Sequence, residues 1–526
     1  MRITGGAANP QIGASTIDEP GLEVKTENTS AEQNAAKSTE RNDTPASQKP
    51  PASSGGGMQR SVAGLQERMT QKSLFNQISE GRQHRSETAE HPAKRRVVAD
   101  ADGQAKSAPS FSVKREGARP VIEGTSKDDV IKIDQARNGD LVVSDEKGRS
   151  VTIPKADLKY GLIVRTGDGA DQITATERVT HKLIIDAGSG DDKIQGGSGD
   201  DEIFGGDGKN VINGGKGDDY IEGGNQEDTI DGGEGNDVIY GMGGDDTIHG
   251  GSGRDYIDGG EGDDHIYGDE GDDMLMGGKG NDTLEGGEGK DVLAGGSGRD
   301  IYDGGAGADI IYRQAEDTAK LNTAEGDREE LVKINPDAGK SIKIDGSKRF
   351  QERVKSDFEA WRSLPKVGDL LTEIDARNAK NGRKVTITEE KAFYKASEAR
   401  TDDRNGMRNK DQSRGSGADV EVKYNTTDRK LGTKKPWDFI PPSVEVYHEM
   451  VHTHDMVNGD LPLEDVERGI GVTDGVYNKE LKATGLPFDH DSDPNTPMEQ
   501  PGPYSENLIR RRLGLPTRDD YKTNDE

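Results

Sequence analysis

Gly259-Gly260-Glu261-Gly262-Asp263-Asp264-His265-Ile266-Tyr267 is one unit of an unbroken nine-residue period that runs from Ala187 to Tyr312, fourteen units of the form Gly-Gly-x-Gly-x-Asp-x-apolar-x. A glycine-rich half followed by a short strand-forming half, repeated at this spacing, winds as a parallel β-roll. The apolar residue of each strand, Ile266 here, points inward, and only stacked neighbours can bury it. A detached unit, Thr166 to Thr174, precedes the array.

Charge decides what the roll requires. Residues 187–312 hold 32 Asp+Glu against 7 Lys+Arg, most of the chain's net charge of −30. Carboxylates stacked at this density repel, and one apolar residue in nine cannot offset the entropy of ordering so many glycines. The pattern is that of RTX repeats, whose turns hold Ca²⁺ through backbone carbonyls and the Asp carboxylate. Several Ca²⁺ ions are expected, on Asp192, Asp201, Asp219, Asp228, Asp237, Asp246, Asp255, Asp264, Asp273, Asp282, Asp291 and Asp300. Without calcium the roll should be unfolded. Asn210 replaces an Asp ligand, and Gln226, Met242 and Asp269 replace turn glycines, so calcium should be lost first near those turns.

The second strong signal is His448-Glu449-Met450-Val451-His452. On a helix this H-E-x-x-H pattern places two imidazoles one turn apart on one face, with a carboxylate beside the metal they would hold. With nine His in 526 residues, a chance match is on the order of 1–2%. The pattern therefore reads as one Zn²⁺ held by His448 and His452, with Glu449 as the catalytic base. Ser443 is a candidate N-cap, and Val444, Tyr447, Val451 and Met456 give the helix an apolar side up to Asn458-Gly459. Asp455 lies near the same face, where it would orient an imidazole. A third ligand must come from elsewhere. Tyr477 to Gly485 reads as another helix, which makes Glu480 the first choice, with His454, Asp455 and Asp489 as alternatives.

Gly415 to Asn425, the Pro441-Pro442 pair, Lys479-Glu480 to Gly485, Tyr504 to Arg510, and Leu513 to Arg518 with Tyr521 together resemble the NleD-type effector zinc metallopeptidases. The resemblance covers residues 340–523. It implies a secreted zinc endopeptidase, delivered into host cells by type III secretion, that cleaves a host signalling protein. It also implies that the Glu506-Asn507…Arg510 block braces the site. His454, Asp455 and the basic run Arg510-Arg511-Arg512 depart from that pattern. Secreted RTX proteases of the type I route carry their repeats after the catalytic domain; the reverse order here favours type III export. The other class of function open to such a chain is a calcium-dependent adhesive or binding protein with an inactive peptidase-like domain.

The expected fold class is a multidomain chain: a disordered N-terminus, a parallel β-roll of nonapeptide repeats, and an α+β zincin-like metallopeptidase domain. Residues 1–118 are polar, with no sustained apolar period, and read as a disordered export region. Residues 119–186 alternate apolar and polar positions and read as a short β-strand cap; 187–312 form the roll, 313–340 a linker with few contacts, and 341–526 the peptidase. Within the last, Ser347 to Leu364 and Lys366 to Arg377 read as helices, and Lys384 to Glu389 and Val420 to Tyr424 as strands, the latter edging the active cleft. No apolar run is long enough to span a bilayer. Cys is absent, so there is no disulfide framework. The expected partners are a protein substrate and secretion machinery, with no nucleic acid.

Overall fold

A computed structural model describes residues 109–390, 398–400, 416–426, 441–458, 472–473, 476–477 and 503–517. The disorder expected of the N-terminus concerns, up to residue 108, residues outside this set.

The repeats form a β-solenoid of two twelve-stranded sheets, parallel through the repeats. Successive units alternate between the sheets, so each strand pairs with the one eighteen residues on: Ile221 opposes Ile239, and Ile230 opposes Ile248. Between the sheets runs one stack of inward side chains, including Ile203, Ile212, Ile221, Ile230, Ile239 and Ile248, each at most 1% exposed. The expected core is therefore the observed one.

The boundaries differ from those expected at both ends. Strand Ser112–Glu116 already lies inside the segment read as disordered, pairing antiparallel with Arg119–Glu123. The cap is the roll itself continued: Arg119–Glu123 and Leu162–Asp168 extend the first sheet, Val130–Gln135 and Gln172–Ala175 the second, all in parallel register. At the other end, the segment read as a linker supplies Thr318–Lys320 and Arg328–Leu331 as the last strands of the two sheets. The glycine period stops before the roll does, because the final coil turns without the nonapeptide's glycines.

The C-terminal region is mixed α/β. Strands β1 (Ile342–Asp345), β2 (Val385–Glu389), β3 (Glu398–Arg400) and β4 (Val420–Tyr424) form a sheet in the order β1-β2-β4-β3, with β3 alone antiparallel. Helices α1 (Lys348–Ser363), α2 (Asp369–Asn381), α3 (Pro442–Asn458) and α4 (Glu506–Arg512) pack with it. The expected helices and strands are present to within a few residues. Ser347 caps α1 by accepting a hydrogen bond from Phe350 N at 3.2 Å, and Gly382 ends α2 in the left-handed conformation. Two expectations change. β4 is interior to the sheet, and the edge strand beside it is β3. Tyr477, read as opening a helix, lies in a short strand paired with Val472–Thr473.

The linker reading also fails energetically. The outward face of the first sheet carries Phe204, Tyr220, Tyr240, Tyr256, Met274 and Met276, all buried in one apolar cluster with Phe350, Val354, Phe358 and Trp361 of α1. Roll and C-terminal region share a core.

Candidate metal centre and calcium turns

Helix α3 is anchored by side chains that face inward: Val444, Tyr447, Met450 and Val457 are at most 0% exposed. Pro442 opens it, where the missing N–H costs nothing. The strand side is tied on at close range: Ala418 N donates to Met456 O at 3.1 Å, and Gly417 (φ +80°) lies so near Val457 O that a Cβ there would sit 2.1 Å from it.

On this helix His448 and His452 are buried and Glu449 is partly exposed. The candidate ligand atoms of the three lie within 4.8 Å of one another. The two Nε2 atoms are 3.2 Å apart. Two nitrogens on a tetrahedral zinc, each at about 2.0–2.1 Å, would be about 3.3 Å apart. Imidazole pairs with this separation, beside a carboxylate, fit zinc.

Outer contacts fix one imidazole. His448 Nδ1 is 3.0 Å from Glu506 Oε2, and Glu506 Oε1 accepts from Arg510 Nε at 2.6 Å. Arg510, fully buried, also donates through Nη1 to Pro516 O at 3.2 Å. A carboxylate on Nδ1 leaves Nε2 with its lone pair toward the partner imidazole and raises its basicity. Ser505 holds the start of α4 by accepting from Leu508 N at 3.3 Å. Glu449 Oε2 accepts from Ala399 N at 2.6 Å, linking the expected base to the edge strand β3. That backbone donor had no signature in the residue types.

The alternatives for a third ligand separate. Among the described residues the cluster comprises His448, Glu449 and His452 alone. His454 faces elsewhere: Nε2 is 3.2 Å from Glu373 Oε2 and 2.9 Å from Asn458 Nδ2, and its ring meets Tyr504 edge-on. Asp455 is buried 3.4 Å from His454 Nδ1 and is not part of the cluster. Glu480 and Asp489 lie outside the described residues.

The calcium turns are built by a carboxylate ladder. Asp228 N donates to Asp246 Oδ1 at 2.7 Å, Asp246 N to Asp264 Oδ1 at 2.8 Å, and Asp264 N to Asp282 Oδ1 at 2.9 Å, repeated on the opposite side by Asp237, Asp255, Asp273 and Asp291. One oxygen of each carboxylate is thus consumed. The other, Oδ2, is buried and unpartnered at Asp228, Asp246, Asp255, Asp264, Asp273 and Asp282. Each fits against a turn glycine whose Cβ would strike it, as at Gly259, 2.3 Å from Asp264 Oδ2. Orphaned carboxylate oxygens in a glycine cradle suit Ca²⁺. The expected ligands Asp192, Asp201, Asp219, Asp228, Asp237, Asp246, Asp255, Asp264, Asp273, Asp282, Asp291 and Asp300 are all buried in these turns. At the irregular units, Met242 and Asp269 hold φ of +80° and +72°, strained for residues with a Cβ.

Burial, reinforced by neighbouring carboxylates, pushes the ladder's pKa values up to about 9 at Asp246, Asp255 and Asp282, about 8 at Asp273 and about 7 at Asp264, and burial alone raises Asp228 to about 7. A folded-state pKa above the unfolded value stabilises the fold at low pH, and that stability is lost as pH rises through the folded value. In calcium-free buffer the roll should therefore keep β-structure near pH 5 and lose it between about pH 7 and 9. Circular dichroism of the calcium-stripped chain across that range checks this; unchanged β-signal at pH 9 would contradict it.

Comparison with known families agrees with both halves of this description. No curated protein matches the chain. Residues 338–521 match peptidase family M91, described as effector protein, and segments spanning residues 184–311 match the RTX calcium-binding nonapeptide repeat. The chain thus joins an RTX calcium-binding array to a region similar to the M91 effector peptidases.

Proposed function

We propose that this chain is a secreted bacterial zinc-dependent endopeptidase, an effector that cleaves a host protein after delivery into the host cell, and that its RTX module folds on Ca²⁺. The observation that carries the zinc reading is the 3.2 Å approach of the His448 and His452 Nε2 atoms beside Glu449. His448 and His452 would hold the metal, Glu480 would complete the set, and Asp455, Glu506 and Arg510 would support it from outside. When bound, zinc supplies Lewis acidity and lowers the pKa of a water molecule toward neutrality. Glu449 takes a proton at its carboxylate and returns it to the leaving amine. Glu506 holds the His448 ring so that Nε2 keeps its lone pair. An extended segment of substrate would lie along the edge strand β3, held by main-chain hydrogen bonds whatever its side chains.

Metal analysis of the purified chain should find about one zinc per molecule. Glu480→Ala should empty the site, while Asp455→Ala should weaken zinc binding by about 10–100-fold. Zinc-free wild type, or peptide cleavage that survives zinc chelation with phenanthroline, would sink the proposal. Equal or reversed losses in the two variants would move the third ligand.

A further inference from the structure

The outward positions of the roll are not alike on its two faces. On the second sheet they are solvent-facing and mostly polar: Thr229, Thr247, His265 and Thr283 stand in register, between Val211 and Ile301, which are themselves exposed. On the first sheet the equivalent register holds Tyr220, Val238, Tyr256, Met274 and Val292. All five are at most 2% exposed, because the C-terminal region covers them.

The cover is specific. Arg349 lies 4.1 Å over the ring of Phe204, and Arg353 lies 3.3 Å over that of Tyr240. Arg353 is fully buried and ion-paired to Asp357 at 2.5 Å. At the far end Arg512 reaches Glu330, at 2.9 Å. From α1 the contacts continue to the metal centre. Tyr424 of β4 donates to Asp357 Oδ2 at 3.0 Å, and β4 pairs with β3, whose Ala399 N–H holds Glu449. Trp361 meets Tyr447, the residue before His448, edge-on at 5.2 Å. Both the helix that carries the imidazoles and the strand that holds the base are thus keyed to α1, whose Phe350, Val354 and Phe358 share one buried cluster with Tyr220, Tyr240 and Tyr256 of the roll.

We propose that the calcium-loaded roll is a structural part of the catalytic domain, so that calcium gates the peptidase. Calcium orders the carboxylate ladder, the ordered first sheet seats α1, and α1 sets α3 and β3. The activity that is gated rests on the metallopeptidase reading above; the folding linkage does not.

The test uses the full chain in a Trp437→Phe background, leaving Trp361 as the single tryptophan. Calcium is titrated into calcium-stripped protein with zinc supplied throughout. Circular dichroism reads the roll, Trp361 emission reads docking, and retained zinc and peptide cleavage read the site. All four should rise with one midpoint, with cleavage at least about tenfold lower without calcium. Tyr256→Glu with Met274→Glu should keep the calcium-induced β-signal but leave Trp361 solvated and zinc and cleavage lost. Thr247→Glu with Thr283→Glu, on the opposite face, should leave all four intact. Cleavage and a buried Trp361 without calcium, or full docking in the Tyr256/Met274 variant, would overturn the coupling and leave the peptidase reading standing. If Trp361 and zinc follow calcium but no peptide bond is cut, the coupling stands and the peptidase reading fails.

Discussion

Glu449→Gln is expected to lower peptide cleavage by about 10²–10⁴-fold while zinc content stays at the wild-type level. On the zinc-peptidase reading the two effects separate because the residues do. His448 and His452 supply the nitrogens, and Glu449 supplies a carboxylate that accepts from Ala399 N on one oxygen. A glutamine is nearly isosteric, so its carbonyl oxygen keeps the Ala399 hydrogen bond and the edge strand stays in place. What it cannot do is take up a proton near neutral pH. Turnover measured beside metal content under saturating calcium checks this. Undiminished turnover would remove Glu449 from the chemistry, and joint loss of zinc and turnover would make it a ligand instead.

The second large effect lies far from that carboxylate. Arg353→Met should destabilise the unit formed by α1 and the roll by about 3–5 kcal/mol, because it strands buried acids without their cation. Arg353 and Asp357 are both fully buried, and Asp258, also buried, faces the same guanidinium. Burial pushes the Asp258 pKa up to about 7 even with Arg353 opposing it. Methionine would fill much of the volume but, among the described residues, leave Asp357 with the Tyr424 hydroxyl alone. Adding Asp357→Leu should restore part of the loss, since replacing both members of a buried pair costs far less than removing one. Urea unfolding at fixed calcium, followed by Trp361 emission, measures both. A shift under about 1 kcal/mol in the single variant would mean that the site is wetter than its burial indicates.

The parts legible in advance were those set by short-range chemistry. A nine-residue glycine period admits few backbone paths, so the roll and its inward Ile-Leu stack followed from spacing alone. The i, i+4 imidazoles needed only a helix. Ser347 marked the start of α1 and the alternation of Val420 to Tyr424 marked β4, because caps and strand faces are local properties. The roll's ends were missed because its terminal coils turn without the nine-residue glycine period, as where Gly326 is the one glycine between Arg313 and Leu331. Its docking was missed for a different reason. Read at period nine, Tyr220 and Thr229 occupy the same variable position. Read at eighteen, the spacing of strands within one sheet, the unbroken apolar run Tyr220, Val238, Tyr256, Met274 and Val292 separates from a register in which Thr229, Thr247, His265 and Thr283 interrupt Val211 and Ile301.

By itself, then, the sequence determined the roll, its need for cations, and the imidazole pair of one helix, since each is a matter of repeat spacing or of neighbours on one element. Only the tertiary structure decided that β3 forms the edge beside Glu449, that His448 is the imidazole Glu506 holds, and that one face of the roll packs on α1. The contacts of Glu449 with Ala399 and of His448 with Glu506 join residues fifty or more positions apart. An outward tyrosine on a strand reads as surface until the partner that buries it has been placed.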